Sequence, residues 1–393
     1  MKYCLINNLY APDNLGGAER VVELIANGLA KDNQVVVITT LFKNTPNFED
    51  SGNIKIYRVR PNNIYHYLAG FKKSWWQKII WQLADIYGSK TARQVEAILK
   101  IEKPDFVFTH NLKGFSLGIA KVIAQLKIFH VHTLHDYQLI EPHGSLFRKG
   151  KCLSKFPWWL KFYTNRCRKI FENVNLVVSP SDFVLQKHLA FGFFKNPQVL
   201  VLKNPVVSIA DLGKHISSEK IRLLYLGQIE SHKGVEFLLQ AFTEFNHSDF
   251  DLTIVGGGSL LEELKTRFSA ERIKFYGKLE RQKLPEIFKE TDFIVVPSLW
   301  WENSPTVIYE GYSFGVPVIV SDSGGSQELV SAGKTGYIFK SGDRASLILI
   351  WHKIAQNRAN FAELRQSAAV AGKALSLDGY LNNLLEKCHS LLK

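Results

Sequence analysis

FIVVPSLWWENSPTVIYEGYSFGVPVIVSD, residues 293–322, reads as a strand, a turn, a helix and a second strand. FIVVPS (293–298) and VPVIVSD (316–322) are near-continuous apolar runs, the pattern of strands covered on both faces of a sheet. Between them Ser304 stands where an N-cap belongs and Pro305 where the first helical residue does, because proline lacks an N–H that is unpaired there anyway. The pattern predicts a helix from Pro305 to about Gly315, hence a unit of the kind that builds parallel sheets. Glu302 then lies on the loop before the helix and Glu310 on its second turn. On one unbroken helix their spacing would turn them about 80° apart, and the proline argues against that geometry. A helix N-terminus takes anions. Acids beside it make sense if they hold hydroxyl groups of a molecule whose phosphate the helix receives.

The same plan extends in both directions. The second half carries strand-like runs IRLLYLG (221–227), DLTIVGG (251–257) and RIKFYG (272–277). The first half carries YCLIN (3–7), QVVVITT (34–40), DFVFT (105–109), KIFHVHT (127–133), NLVVS (175–179) and QVLVL (198–202). Amphipathic stretches such as AERVVELIANGLA (18–30) separate several of them. A chain of 393 residues is long enough for two domains with separate cores. The expected boundaries are 1–205, 206–375 and a C-terminal helix over 376–393 that packs back on the first domain, with a linker over 203–220. Doubly wound sheets bind ligands beyond the carboxyl ends of their strands, so two facing units would enclose a central cleft. Gly16-Gly17, Gly227, Gly234 and Gly256-Gly257-Gly258 stand at or just after strand ends, where glycine lets backbone turn tightly and approach a ligand.

Several classes fall away. No apolar run approaches the ~18 residues that span a bilayer, and the N-terminus has no signal-peptide pattern, which points to the cytosol. Cys4, Cys152, Cys167 and Cys388 show no metal or redox spacing, and no GxxxxGK[ST] phosphate loop is present.

The ordered segments YLGQIESHKGVEFLLQAF (225–242), LTIVGGGSLLEELK (252–265), IKFYGKLERQKLPEIF (273–288), PSLWWENSPTVIYEGYSFGVPVIVSDSGGSQELV (297–330) and GKTGYIF (333–339) resemble the retaining, nucleotide-sugar-dependent glycosyltransferases of family four. GGAERVVELIANGLA (16–30), DFVFTHNLKG (105–114) and HTLHDY (132–137) extend the resemblance more loosely to the first half. It implies an α/β GT-B fold of two Rossmann-like, doubly wound domains. It also implies a hexosyl transfer with retention, from a UDP- or GDP-linked sugar. In the family's E-x7-E signature Glu310 holds the ribose hydroxyls and Glu302 lies by the transferred sugar. The backbone at Asn303, Ser304, Pro305, Thr306 and Val307 approaches the sugar and diphosphate. Lys233 matches the phosphate lysine, Gly277 and Leu279 the base-binding edge, and Gly17 a loop that closes on the phosphates. Gly227 and Gly256 border the donor, and His135 matches a histidine near the reaction centre. Lys233, Glu302 and His135 are therefore the expected catalytic residues. Gln228 stands where many members have arginine; glutamine donates a hydrogen bond but brings no charge. No essential metal or other cofactor is expected. The role of His110 is open, and Trp300-Trp301 are expected in the core.

Up to Pro205 there are 28 Lys and Arg against 14 Asp and Glu, while the remainder holds 21 against 22. The excess gathers with aromatics in two places, FKKSWWQKIIWQL (71–83) and FRKGKCLSKFPWWLKFYTNRCRKIF (147–171). Lys72, Lys73, Trp75, Trp76, Arg148, Lys149, Lys151, Lys155, Trp158, Trp159, Lys161, Arg166, Arg168 and Lys169 are expected to face an anionic membrane or the acceptor. Nucleic acid could use the same residue types, but no nucleic-acid module accompanies them. The expected enzyme therefore works at the inner face of the cytoplasmic membrane, on a lipid-linked or polysaccharide acceptor in cell-surface glycan synthesis. The competing readings are a nucleotide-sugar epimerase and a catalytically silent membrane scaffold.

Overall fold

The computed structural model describes residues 1–12, 16–42, 45–66, 73–148, 150–153, 156–206 and 215–392. The chain forms two compact units: Met1–Ser145, Lys155–Pro205 and Leu377–Lys393 make one, Leu146–Ser154 and Val206–Ser376 the other. The strands of the first half are β1 (Lys2–Ile6), β2 (Gln34–Thr40), β3 (Phe48–Asp50), β4 (Ile54–Val59), β5 (Phe106–Thr109) and β6 (Phe129–Thr133), followed by β7 (Phe147–Arg148), β8 (Lys151–Cys152), β9 (Leu176–Ser179) and β10 (Gln198–Val201). Those of the second half are β11 (Ile221–Leu226), β12 (Phe250–Val255), β13 (Ile273–Gly277), β14 (Phe293–Val296), β15 (Val318–Ser321) and β16 (Gly336–Phe339). The helices are α1 (Gly17–Leu29), α2 (Trp75–Tyr87), α3 (Lys90–Glu102), α4 (Ile119–Gln125), α5 (Trp158–Ile170) and α6 (Asp182–Ala190), then α7 (Val235–Phe245), α8 (Leu261–Arg267), α9 (Leu284–Lys289), α10 (Thr306–Ser313), α11 (Arg344–Gln356), α12 (Phe361–Ala374) and α13 (Leu377–Ser390).

The first unit's sheet runs β10-β9-β6-β5-β1-β2-β4-β3. Its neighbours are parallel except β3, which is antiparallel to β4. The second runs β13-β12-β11-β14-β15-β16, all parallel. Both are doubly wound. The order reverses between β1 and β5 in one and between β11 and β14 in the other, and ligands bind in the crevice at such points.

Buried side chains on both faces explain the continuous apolar strands. In the first unit Leu5, Val35, Val37, Phe106, Phe108 and Val131 pack with Val22 and Ile25 of α1 and with Tyr380, Leu381 and Leu384 of α13. The last helix thus returns to the first unit, and Gly28 of α1 lets it come close: a Cβ there would stand 2.6 Å from the Leu381 side chain. In the second unit one cluster gathers Leu223, Phe250, Ile254 and Trp351, and another gathers Leu224, Ile294, Val318 and Tyr312. The β7–β8 hairpin, placed by the sequence reading in the first domain, belongs to the second unit.

Two local expectations change. The helix after Glu302 begins at Thr306, with Pro305 as its N-cap, and ends at Ser313. Ser304 does not cap it because its hydroxyl is bonded to the Tyr309 hydroxyl. The strands β3, β4, β7, β8 and β16 were not anticipated.

Candidate active site

The second unit brings two of the expected residues into direct contact at its switch point. After β11 the chain passes Gly227 and Gln228 into a short helical turn, Ser231–Lys233, that ends in Gly234 at φ 72°. A Cβ on Gly234 would lie 1.9 Å from the Pro297 carbonyl oxygen, so only glycine lets this turn pack on the loop after β14. The two loops are tied by the Leu299 N–H donating to the His232 carbonyl at 3.0 Å. That closeness sets Lys233 Nζ 2.7 Å from Glu302 Oε1, and the Ser298 hydroxyl donates to the same oxygen at 2.6 Å. Glu302 is buried. Burial pushes its carboxyl up, but the charge and hydrogen bond of Lys233, with the Ser298 hydroxyl, hold it below the ordinary carboxylate value. Lys233 also lies 4.8 Å above the Trp300 ring, a cation–π contact. Trp300, expected in the core, is instead a half-exposed wall of the site, crossed edge-on by His232 at 5.1 Å.

Glu310 sits on the second turn of α10, half-buried, and accepts from Arg281 at 3.0 Å. Sequence reasoning missed Arg281; nothing in its local pattern marks it. Arg281 is more than half exposed, so the pair is weak and open to exchange for another donor. Asn303 is buried, while Ser304, Pro305, Thr306 and Val307 are half-buried around the start of α10. Glu302 is fixed from behind as well: the Gly325 N–H donates to its carbonyl at 2.8 Å.

The glycines after β11 and β12 serve mostly one another. A Cβ on Gly256 would lie 1.7 Å from the Gly227 carbonyl oxygen, and one on Gly258 would lie 2.3 Å from that of Ile229. Their freedom is used for the approach of two protein loops. Gly277 ends β13 at φ 66° with space around its Cα, and its carbonyl accepts from the Gly256 N–H at 2.8 Å. Leu279 is half-buried against the core. Gln228 is exposed, and its carbonyl accepts from the Tyr225 hydroxyl at 2.6 Å.

In the first unit the loop after β5 carries His110 and the loop after β6 carries His135. His110 Nδ1 and His135 Nε2 are 2.9 Å apart, which gives His110 the partner the sequence left open. Burial pushes His135 down to about 4 and His110 in the same direction, with each other's charge adding for His110. Both are neutral at pH 7, one donating to the other. Gly17 is the first residue of α1, and the Gly16 N–H donates to the buried Glu19 carboxylate at 3.0 Å. Glu19 was not singled out; the acid three residues after the helix start was its signal.

Of the expected membrane or acceptor residues, Trp75, Trp76, Trp158, Trp159, Lys161 and Lys169 are exposed. Trp75 and Trp158 are 75% and 73% exposed, so they are not core. Ile79, Ile80, Leu83 and Phe162 extend the same apolar surface on α2 and α5. Lys73 lies over the Tyr65 ring, and Arg166 over that of Tyr87. Arg168 turns back onto Asn165 and the Phe191 carbonyl. Arg148 and Lys151 are exposed on the β7–β8 hairpin, in the second unit. Lys72, Lys149 and Lys155 lie outside the described residues. Among the described residues no helix is long and apolar enough to cross a membrane.

Two Rossmann-like, doubly wound units of this kind are the GT-B fold found in glycosyltransferases. The comparisons agree. Residues 15–207 match the sequence model of Glycosyltransferase Family 4, and residues 211–374 match that of Glycosyl transferases group 1. The chain belongs with the family-four-like glycosyltransferases. It is 28% identical over 333 residues to an uncharacterized 42.6 kDa protein in the cps region of Klebsiella pneumoniae, covering 84% of this chain and 87% of that one. It is 27% identical over 267 residues to the UDP-Gal:alpha-D-GlcNAc-diphosphoundecaprenol alpha-1,3-galactosyltransferase of Escherichia coli, covering 64% and 66%. Anabaena HepE in complex with UDP-glucose shares its fold at TM-score 0.72 and 17% identity, over 99% of this chain and all of that one (100%).

Proposed function

We propose that the protein transfers a hexose, with retention, from a UDP- or GDP-linked donor to a lipid-linked or polysaccharide acceptor in cell-surface glycan synthesis. The observation that carries the reading is the Lys233–Glu302 ion pair at the β11–β14 switch point, next to the N-terminus of α10. Lys233 and the α10 N–H groups supply positive charge for a leaving diphosphate. Glu310 accepts from ribose hydroxyls, exchanging its bond to Arg281 for theirs. The UDP in the names of the galactosyltransferase and the HepE complex favours a UDP-linked donor. The reading calls for no resident metal, because protein groups provide the charge, and turnover is expected to persist in a chelator.

The test is thermal shift and turnover with a panel of UDP- and GDP-sugars. The expected result is that one donor raises the midpoint of the wild type and that Glu310→Ala loses most of that shift. If that variant is stabilised equally, the ribose assignment fails. If no donor stabilises or turns over, the catalytic reading gives way to a silent scaffold. Retention is read from the anomeric configuration of the product by NMR.

The exposed faces of α2 and α5 support docking on an anionic membrane. Each helix begins with two tryptophans and carries basic residues nearby. The double variant Trp75→Ser/Trp158→Ser is expected to bind phosphatidylglycerol vesicles about tenfold more weakly, since indole burial at the interface is lost. Unchanged sedimentation with vesicles would remove α2 and α5 from the docking face.

A further inference from the structure

His110 follows β5, beside the β1–β5 switch point, and its N–H donates to the Ile6 carbonyl at 2.9 Å, which continues the strand ladder beneath it. His135 follows β6 and stands between two fixed neighbours. The Leu134 N–H donates to the Val178 carbonyl at 2.9 Å, and Asp136 Oδ1 accepts from the Gln138 N–H at 2.7 Å. Both rings therefore leave backbone that is itself tied down, with His110 Nδ1 set 2.9 Å from His135 Nε2. Their surroundings differ. His110 is buried at 3% exposure, whereas His135 is half-buried. The second nitrogen of His110, Nε2, is buried and has no hydrogen-bond partner among the described residues.

A neutral imidazole carries one ring proton, so the hydrogen between these two nitrogens belongs to one ring or the other, and the choice fixes both tautomers. If His135 donated from Nε2, the proton of His110 would sit on its own Nε2, a buried donor with no acceptor. If His110 donates from Nδ1, its Nε2 is a bare lone pair. The proton of His135 then sits on Nδ1 of the half-buried ring, where an acceptor outside the protein can reach it. The second arrangement leaves no buried N–H unpaired, which is the rarer defect in folded proteins. Burial keeps both rings uncharged near neutral pH, so His135 has a proton to share only at the position that His110 selects. We propose that His110 is a positioning residue that locks His135 as the Nδ1–H tautomer, a fixed hydrogen-bond donor to an oxygen of the sugar substrate. The inference rests on the glycosyltransferase reading above and deepens the part expected of His135. It removes His135 as a general base, because its one ring lone pair is already engaged by His110.

Isotopic labelling of the histidine nitrogens in the full chain lets NMR read which ring nitrogen carries the proton, with the His135 signals assigned by their loss in His135→Gln. The expected wild-type spectrum, recorded near neutral pH without donor, has His135 protonated on Nδ1. His110→Leu fills the buried space but removes the bond, so His135 is expected to populate both tautomers. His110→Asn offers an amide N–H near the place of Nδ1 and is expected to restore the Nδ1–H form. With a donor sugar that turns over, His110→Leu should lower kcat about tenfold, short of the loss on removing a donor group outright, with KM little changed. His110→Asn should recover most of that loss. Melting midpoints of both variants are expected to stay near that of the wild type, since leucine removes a buried unpartnered atom along with the bond. A wild-type His135 protonated on Nε2 overturns the proposal, as does an unchanged tautomer in His110→Leu. Equal kcat in His110→Leu and wild type reduces His110 to a packing residue and overturns it too. If no nucleotide sugar turns over, the glycosyltransferase reading falls, and the spectra still decide the tautomer lock.

Discussion

Lys233→Ala is expected to lower kcat by about 10²–10³-fold, the usual loss when one group aimed at developing negative charge is removed. Donor KM should rise less, because on the proposed reading the N-terminus of α10 and Glu310 would still hold the donor. The same substitution should lower thermal stability. Glu302 is buried and its charge is sustained by a lysine 2.7 Å away whose side chain is 23% exposed. Taking the lysine away leaves a carboxylate without its counter-ion, at a cost of about 2 kcal/mol once the partial exposure of the pair is allowed for. The Glu302 pKa then moves up, since burial is no longer opposed by Lys233. Replacing both members, Lys233→Met with Glu302→Gln, separates the two effects: stability returns while turnover stays low. Steady-state kinetics and thermal melts of the two variants beside the wild type decide it. Activity of Lys233→Ala within about fivefold of wild type would mean that the lysine only neutralises Glu302 and does not meet the diphosphate.

The stretch 293–322 was legible because its chemistry is local. Strands covered on both faces must be apolar throughout, and a proline at a helix start leaves little choice of boundary, so the start was off by one residue and the end by two. The strand β4 was not legible. IKIYRV breaks the alternation of a half-buried strand, because Arg58 stands on the face of Ile54 and Ile56; it is buried there because Glu49 and the Ala11 carbonyl, on other segments, accept from it at 2.6 and 2.9 Å. β16 opens on a glycine, which weakens its strand pattern: Gly336 has φ 155°, and a Cβ there would stand 1.9 Å from the Val318 carbonyl oxygen. Within the site, Glu302, Glu310 and Lys233 could be named from motif and resemblance. What they touch could not. Arg281 on Glu310, His110 on His135 and the hairpin on Leu299 are contacts set by how separate loops converge at strand ends. Trp300 shows the same limit from the other side: next to an apolar strand it reads as core, yet the turn after β14 brings it out under Lys233.

The second large expected effect is a pH dependence centred on Asp85. This residue lies on α2 and is buried, with its Oδ1 accepting from the Gly114 N–H at 3.0 Å. Burial pushes its carboxyl up to about 7, while the Gly114 hydrogen bond and Lys113 pull the other way. Tyr163 and Cys167 of α5 face it from the other side, and both are themselves pushed up by burial, with the Asp85 charge adding to the effect. Below about pH 4 the group is protonated whether the chain is folded or not, so it costs nothing. As the pH rises from there to about 7, the unfolded chain ionises while the folded one holds its proton, and stability falls by about 1.4 kcal/mol per pH unit. Above 7 both forms are ionised and this contribution is flat, at a total near 4 kcal/mol as an order of magnitude. Asp85→Asn keeps the acceptor for Gly114 and has no charge to bury. Its stability relative to wild type should therefore increase steadily from pH 4 to 7 and level off above. Denaturation midpoints of the two proteins across that range test it, and a constant difference would mean that the Asp85 carboxylate is solvated in the folded chain.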